Sequence, residues 1–359
     1  YAGSHPRSIA PVVALVLVFG VAQAFGAPAV RSLPADMVDA EAVPRLTART
    51  AAAGQAGIVF GPVLGGFLYV ADVRLPFVAF AGLLVAGAAV LPLVRVANGP
   101  TRATEPDWRT AATQEAALEP ATGHAPPGRG SIHDAMEGLR FVRTQPVIFG
   151  AISLDLFAVL FGGAVALLPA IAKDRLGVGA VGLGWLQAAA GIGAGVTTLV
   201  LGLRPLGRRL GRILLVVVAV FGIWTIVLGI TRSYAVAFVS ILALSAADAV
   251  SVFIRATLVP LATPEDKRGR VLAVENVFIG ASNELGGFES GVTGQLLGTS
   301  GSVLLGGFAT LAVAAVWWVL FPALREVDGF PDLREVEGFP DPTEAGPPPD
   351  PEPQPDQSG

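Results

Sequence analysis

Nine apolar runs, each near the length of a membrane-crossing helix, limit what this chain can fold into more than any other feature. They are Ile9–Ala27, Ala51–Val70, Pro76–Val94, Val147–Ile171, Val181–Leu203, Ile213–Ile230, Tyr234–Val259, Val271–Leu297 and Val303–Leu320. A helix of about 20 residues crosses the hydrocarbon core of a bilayer. In lipid every backbone amide must be satisfied within the protein, so isolated runs of this kind become helices. The Gly and Pro scattered through them argue against long soluble helices but are tolerated in membranes. Composition agrees, with 53% hydrophobic and 14% charged residues, where soluble domains carry about 25% charged. The expected fold class is an all-α, polytopic membrane protein.

Several chemistries are excluded by what is missing. There is no cysteine, which removes disulfides, thiolate metal sites and a cysteine nucleophile. His5, His124 and His133 all lie outside the apolar runs, too few and too scattered for a catalytic metal. Lys173 and Lys267 are the only lysines, and neither closes a G-x-x-x-x-G-K-[ST] loop, so ATP is not held in that way. H-E-x-x-H, G-x-S-x-G and an intramembrane histidine are absent as well, which speaks against an intramembrane enzyme. We expect no enzyme activity, metal, cofactor or nucleic-acid partner. The net charge of −4 is dominated by the acidic tail. The first residue is Tyr1, with no charged leader and cleavage site ahead of the first run, and the N-terminus reads as cut.

Arginine and lysine set orientation. With the Pro28–Thr50 connection on the cytoplasmic side, that side holds eighteen of the 24 basic residues, the other side five, and Arg255 lies inside a run. The C-terminus is then cytoplasmic and the N-terminus external. The loop from about Ala97 to Gln145 begins as a Pro-, Thr-, Ala- and Glu-rich linker. It ends in S-I-H-D-A-M-E-G-L-R-F-V-R, where Ile132, Ala135, Met136, Leu139 and Val142 share one helical face. Ser131 and Asp134 form a capping-box-like start, and Arg140 and Arg143 suit lipid headgroups, so an interfacial helix is expected there. After Pro322 the nonapeptide L-R-E-V-D-G-F-P-D is followed by L-R-E-V-E-G-F-P-D, then by a Pro-rich end. Two copies build no solenoid, and this composition buries no core. The tail is expected to be disordered and dispensable.

Polar residues within the runs are unevenly spread. The third, sixth and ninth runs hold no ionisable residue, and Gln23, Gln55 and Gln187 are the amides of note in the first, second and fifth. The fourth, seventh and eighth hold Asp155; Asp248 and Arg255; and Glu275, Glu284 and Glu289. Every third helix is thus wholly apolar and is expected to face lipid, while the other six surround a polar centre. A charge at mid-membrane costs at least about 2.5 kcal/mol and faces a cavity or a partner. Asp248 and Arg255, seven residues apart, share a face and either pair with neighbouring helices or line a cavity. Asn276 and Asn283 share another face, with Glu284 beside the latter. Glu275 sits near the cytoplasmic end, where capping the helix is one reading. For the remaining acids the alternatives are an ion-pair network that fixes packing and a proton or cation relay through Asp155, Asp248 and Glu284, whose carboxyls low dielectric can bring toward neutral pKa.

The second run carries A-R-T-A-A-A-G-Q-A-G-I-V-F-G-P-V-L-G-G, Ala48–Gly66. Gly57, Gly61 and Gly65 recur every fourth position, a face along which a neighbouring helix can approach closely. Pro62 removes a helical amide and invites a bend. Together the residues predict a bent, tightly packed helix at a joint between moving parts; an ordinary packing seam is the plainer alternative. The run resembles the glycine-proline signature on the fifth helix of proton-coupled exporters in the major facilitator superfamily. Gly57, Gly61, Pro62, Gly65 and Gly66 match it, and Ala48 stands at its first glycine.

Other stretches are similar to the same superfamily. Val21–Val38 looks like its fourth helix and following loop, and Arg268–Gly280 like the entry to its eleventh. R-P-L-G-R-R-L-G-R at Arg204–Arg212 resembles its basic loop, with Arg208 at the usual acidic position. The resemblance is strongest to enterobactin-exporter-like and multidrug-efflux members. It implies a major facilitator fold with nine of twelve transmembrane helices present, helices four to twelve. Residues 1–96 would be the remainder of the N-terminal lobe, 97–145 the central loop, 146–322 the C-terminal six-helix lobe and 323–359 the tail. It further implies two lobes rocking about a central cavity, in a bacterial inner membrane. The expected activity is proton-coupled export of a small amphipathic, siderophore- or drug-like compound, with protons, substrate and lipid as partners. A non-transporting receptor or scaffold is the second reading.

Overall fold

The computed structural model describes residues 43–90, 132–204 and 206–330, together with Leu15 and Leu17. Among these residues every regular element is helical. Helix α1, Val43–Ala71, contains Pro62. It ends at Asp72, whose carboxylate accepts the Arg74 amide at 2.7 Å and turns the chain into α2, Leu75–Val90, a helix with no buried residue. Helix α3, Ile132–Thr144, stops where Pro146 opens α4, Pro146–Phe161, a position at which proline is preorganised for the first turn.

Beyond α4 the backbone changes pitch three times: a 3₁₀ segment Gly163–Leu167, one α turn Leu168–Ala170 and a π turn Ile171–Arg175. A Cβ on Gly163 would lie 2.7 Å from the Gly286 carbonyl. Only a bare backbone lets the broken end of α4 and the next-but-three helix meet so closely.

Four further helices complete the bundle: α5, Ala180–Leu203; α6, Leu210–Ile230; α7, Tyr234–Leu261; and α8, Glu265–Leu320. A short α9, Pro322–Arg325, follows. Helix α8 is two helices joined at Gly298, which sits at φ 73°, ψ 163°. Thr293 and Ser302 hydroxyls, 2.6 Å apart, tie the halves together across that break. Six of the helices are long and apolar enough to cross a membrane, α8 as one merged span, and α2 is a shorter apolar helix. The described parts of the second to ninth runs are thus helical; Ile9–Ala27, Gln23 included, lies outside the described residues apart from Leu15 and Leu17.

Two cores hold the bundle. One joins α3, α4, α6, α7 and α8 around Ile148, Leu154, Leu210, Leu214 and Ile254. The other joins the irregular end of α4 with α5, α6 and α7 around Leu168, Ile171, Leu186 and Ile241. Outward, Leu83, Leu203, Leu296 and Val319 are each more than 70% exposed, a surface suited to lipid and not to water. The apolar α6 and the second half of α8 pack on each other through Gly222 and Gly307 while exposing Ile223 and Phe308.

Of the predicted apolar face of α3, Val142 is buried and Met136 is 56% exposed. The helix docks on the start of α8: a Cβ on Gly138 would lie 2.9 Å from the Arg270 carbonyl, Glu137 pairs with Arg270 at 2.6 Å, and Lys267 stands 4.8 Å over the Phe141 ring. One expectation needs correction. The tail, expected to be disordered from residue 323, is folded to Phe330. Leu324 is fully buried, and Gly211 donates to the Val327 carbonyl at 3.1 Å. What made the tail look coreless, its Pro and acid content, belongs to residues beyond that point. The linker at 97–131 and the tail from 331 lie outside the described residues.

Candidate functional site

The centre of the bundle holds a buried ion pair between α4 and α7. Arg255 Nη2 lies 2.7 Å from Asp155 Oδ1, with side chains 6% and 7% exposed. Arg255 Nε also reaches the Ser251 hydroxyl at 3.4 Å, one turn back on α7. Asp155 comes to this point because α4 buries the run Gly150–Asp155 against its neighbours. Beside it, Ser153 donates to the Phe149 carbonyl at 2.5 Å, and Trp317 donates to Gly150 and Ser153 at 3.1 and 3.3 Å. Every buried side-chain nitrogen and oxygen among the described residues has a hydrogen-bond partner.

Asp155 also lines a narrow void, with ≈ 20 Å³ of space open to water, together with Asp248, Ser251, Val218 and Phe221. Asp248 opens to the outside of the described bundle, so the void runs from a sealed pair toward an accessible carboxylate. Both readings of the Asp248–Arg255 face hold at once: Arg255 pairs across helices and Asp248 lines the cavity.

Glu275 corrects an expectation. It stands three turns into α8, too deep to cap the helix, and is 8% exposed. Arg255 and Asp155 are close enough for their charges to act on it. The signal that would have found it is spacing, since Glu275 lies ten residues past the helix start and not in its first turn.

The other polar candidates are placed apart from this group. Asn276, Asn283 and Glu284 all face outward on α8, and both asparagine amides are spent on carbonyls of their own helix, Leu272 at 2.9 Å and Ile279 at 2.8 Å. Glu284 forms no ion pair with a described residue. Glu289 is half-buried and accepts the Ser290 hydroxyl at 3.4 Å. Gln187 is exposed and lines a groove between α1, α2 and α5 with Gly65, Gly66, Tyr69, Phe77 and Lys173. Gln55 crosses from α1 to α5, donating to the Gly191 carbonyl at 2.8 Å.

The Gly-Pro run makes a tight seam with α5, but not along the predicted face. Cβ atoms added at Gly57, Gly61 or Gly65 would meet no described atom within 4 Å. Contact runs instead through Gln55, Ile58, Val59, Pro62 and Gly66, the adjacent face of α1. A Cβ on Gly66 would lie 2.6 Å from the Ala180 carbonyl, and one on Gly184 would strike the Pro62 carbonyl. Gly191 meets Ile58 and Val59, and Gly195 meets Gln55. Three of the four glycines that permit the approach therefore belong to α5. Their spacing, 184, 191 and 195, is itself helical and was open to reading in the sequence.

A helical, membrane-crossing bundle with a buried ion pair at its centre and a glycine-built seam between α1 and α5 defines a polytopic membrane protein of the transporter kind. Residues 6–231 match the Major Facilitator Superfamily family model, and the chain belongs to that superfamily. Its members are secondary transporters, not enzymes, moving small molecules across lipid. Neither curated proteins nor solved structures gave a match.

Proposed function

We propose that this chain exports a small amphipathic compound across a bacterial inner membrane in exchange for protons, with its C-terminus in the cytoplasm. The observation that supports this most is the Asp155–Arg255 pair, buried at 2.7 Å beside a void that leads to Asp248. A buried carboxylate held by one guanidinium is a proton site whose occupancy changes the pairing. Protonating Asp155 releases Arg255 to Asp248 or Glu275, and the helix contacts that depend on the pair shift with it. The α1–α5 seam, with Pro62 and Gly66 against α5, is where the two lobes would rock. Export and efflux-type chemistry rest on the resemblance of the Gly57–Gly66 run.

The test is flux of candidate amphipathic compounds in inverted vesicles carrying the full-length protein, with the proton gradient intact or collapsed. Asp155→Asn is expected to abolish gradient-driven flux while leaving counterflow exchange of substrate. Gradient-driven flux that survives Asp155→Asn and Asp248→Asn together would remove the coupling role.

A further inference from the structure

Phe321 opens a ten-residue stretch, F-P-A-L-R-E-V-D-G-F, which returns nine residues later from Phe330 as F-P-D-L-R-E-V-E-G-F. Eight of the ten positions are identical; Asp332 replaces Ala323 and Glu337 replaces Asp328. The first copy is docked along its length. Phe321 stacks on Trp317, centroids 5.5 Å apart, and Leu324 is fully buried among Ile148, Leu210 and Leu214. The Gly211 amide donates to Val327 at 3.1 Å and the Leu210 amide to the Asp328 carbonyl at 3.4 Å. The Asp328 carboxylate accepts the Arg209 amide at 3.2 Å and pairs with Arg208 at 3.4 Å. Phe330 meets Phe253 edge-on at 6.3 Å.

Each of these contacts reads a feature that the second copy keeps. The Phe, Leu, Val and Gly anchors are the same residues, and the two backbone bonds ignore side chains. The carboxylate returns as Glu337, one methylene longer, at a place where the Asp328 side chain is 59% exposed and has room. Asp332 would stand in the first turn of the short helix, where an acid is favoured. Looping out nine residues to bring the second copy into place costs loop-closure entropy, which rises only with the logarithm of length.

We propose that the groove formed by Gly207–Gly211, α4 and Phe253 is a peptide-docking site used in two registers, and that Phe330–Phe339 occupies it whenever Phe321–Phe330 is released. The tether keeps the second copy at high local concentration, so the groove stays covered when the first copy leaves it.

The chain lacks cysteine, so two introduced thiols report without background. Gly207 is the anchor, since a Cβ there meets open space and a Cβ on Gly329 would lie 3.6 Å from the Gly207 carbonyl oxygen. Gly207→Cys is paired with Gly338→Cys in the full chain and treated with a short bismaleimide. The intrachain bridge is expected to rise at least fivefold when Leu324→Asp and Val327→Asp disable the first copy. It should be lost when Leu333→Asp and Val336→Asp are added. An unchanged bridge after the first pair of substitutions overturns the proposal, as does one that survives all four or forms between chains. Should those substitutions prevent folding, deletion of residues 321–329 joins Leu320 to Phe330 and sets the second copy in the first's place. That deletion is expected to keep the thermal midpoint of the full chain, whereas deletion of 321–338 lowers it; equal loss in both overturns the assignment. Neither readout depends on transport.

Discussion

Arg255 on α7 and the Asn276–Glu284 face of α8 both carry polar side chains through apolar sequence, yet the two are housed differently. On α7, Arg255 is sealed against Asp155 with both side chains nearly inaccessible. On the first half of α8, Asn276, Asn283 and Glu284 line an outward face and bond only to their own helix or to nothing described. A sealed pair holds two helices together and makes each partner depend on the other. An outward polar face leaves its own helix indifferent and serves whatever lies against it. Position along a hydropathy plot does not separate the two cases; the neighbours do.

The contrast breaks first at the pair. Arg255→Leu leaves an uncompensated buried carboxylate and should cost about 3–5 kcal/mol, while Asp155→Leu combined with Arg255→Leu should cost less than either alone. Thermal unfolding in detergent, followed by tryptophan fluorescence, measures both. A double variant that costs the sum of the singles would mean that the two residues do not act as a pair. Next comes the α1–α5 seam: Gly184→Val drives a side chain into the Pro62 backbone and should destabilise by about 1–3 kcal/mol, with Gly57→Val far milder in the same assay. Gln55→Leu removes one interhelical hydrogen bond and leaves the Gly191 carbonyl to its helix, a loss of about 1 kcal/mol. Smallest of all, Glu284→Gln should stay within about 0.5 kcal/mol of the parent. A large loss there would place Glu284 in a contact that the described residues do not contain.

Much of this arrangement was legible in the sequence. The runs mark helices because lipid leaves no other way to satisfy the backbone, and the acids in the fourth and seventh runs flagged the polar centre. Which acid Arg255 meets was not legible, since pairing across helices depends on rotation about each axis and not on spacing within one. The same limit explains the seam: Gly57, Gly61 and Gly65 have the right period, but a period fixes a face and not its partner. The tail failed for a different reason. Composition averaged over residues 323–359 hid a short segment, Leu324–Phe330, whose anchors are few but all used.

Arg175 sits in the π turn at the end of the fourth span and donates to three carbonyls at the end of α6: Gly229 at 2.5 Å, Thr231 at 2.6 Å and Leu228 at 3.4 Å. That makes a towline between two spans that the sequence separates by more than fifty residues. Should the Arg175 end of the fourth span swing, the tip of α6 is dragged with it, and the pair travels as one strut.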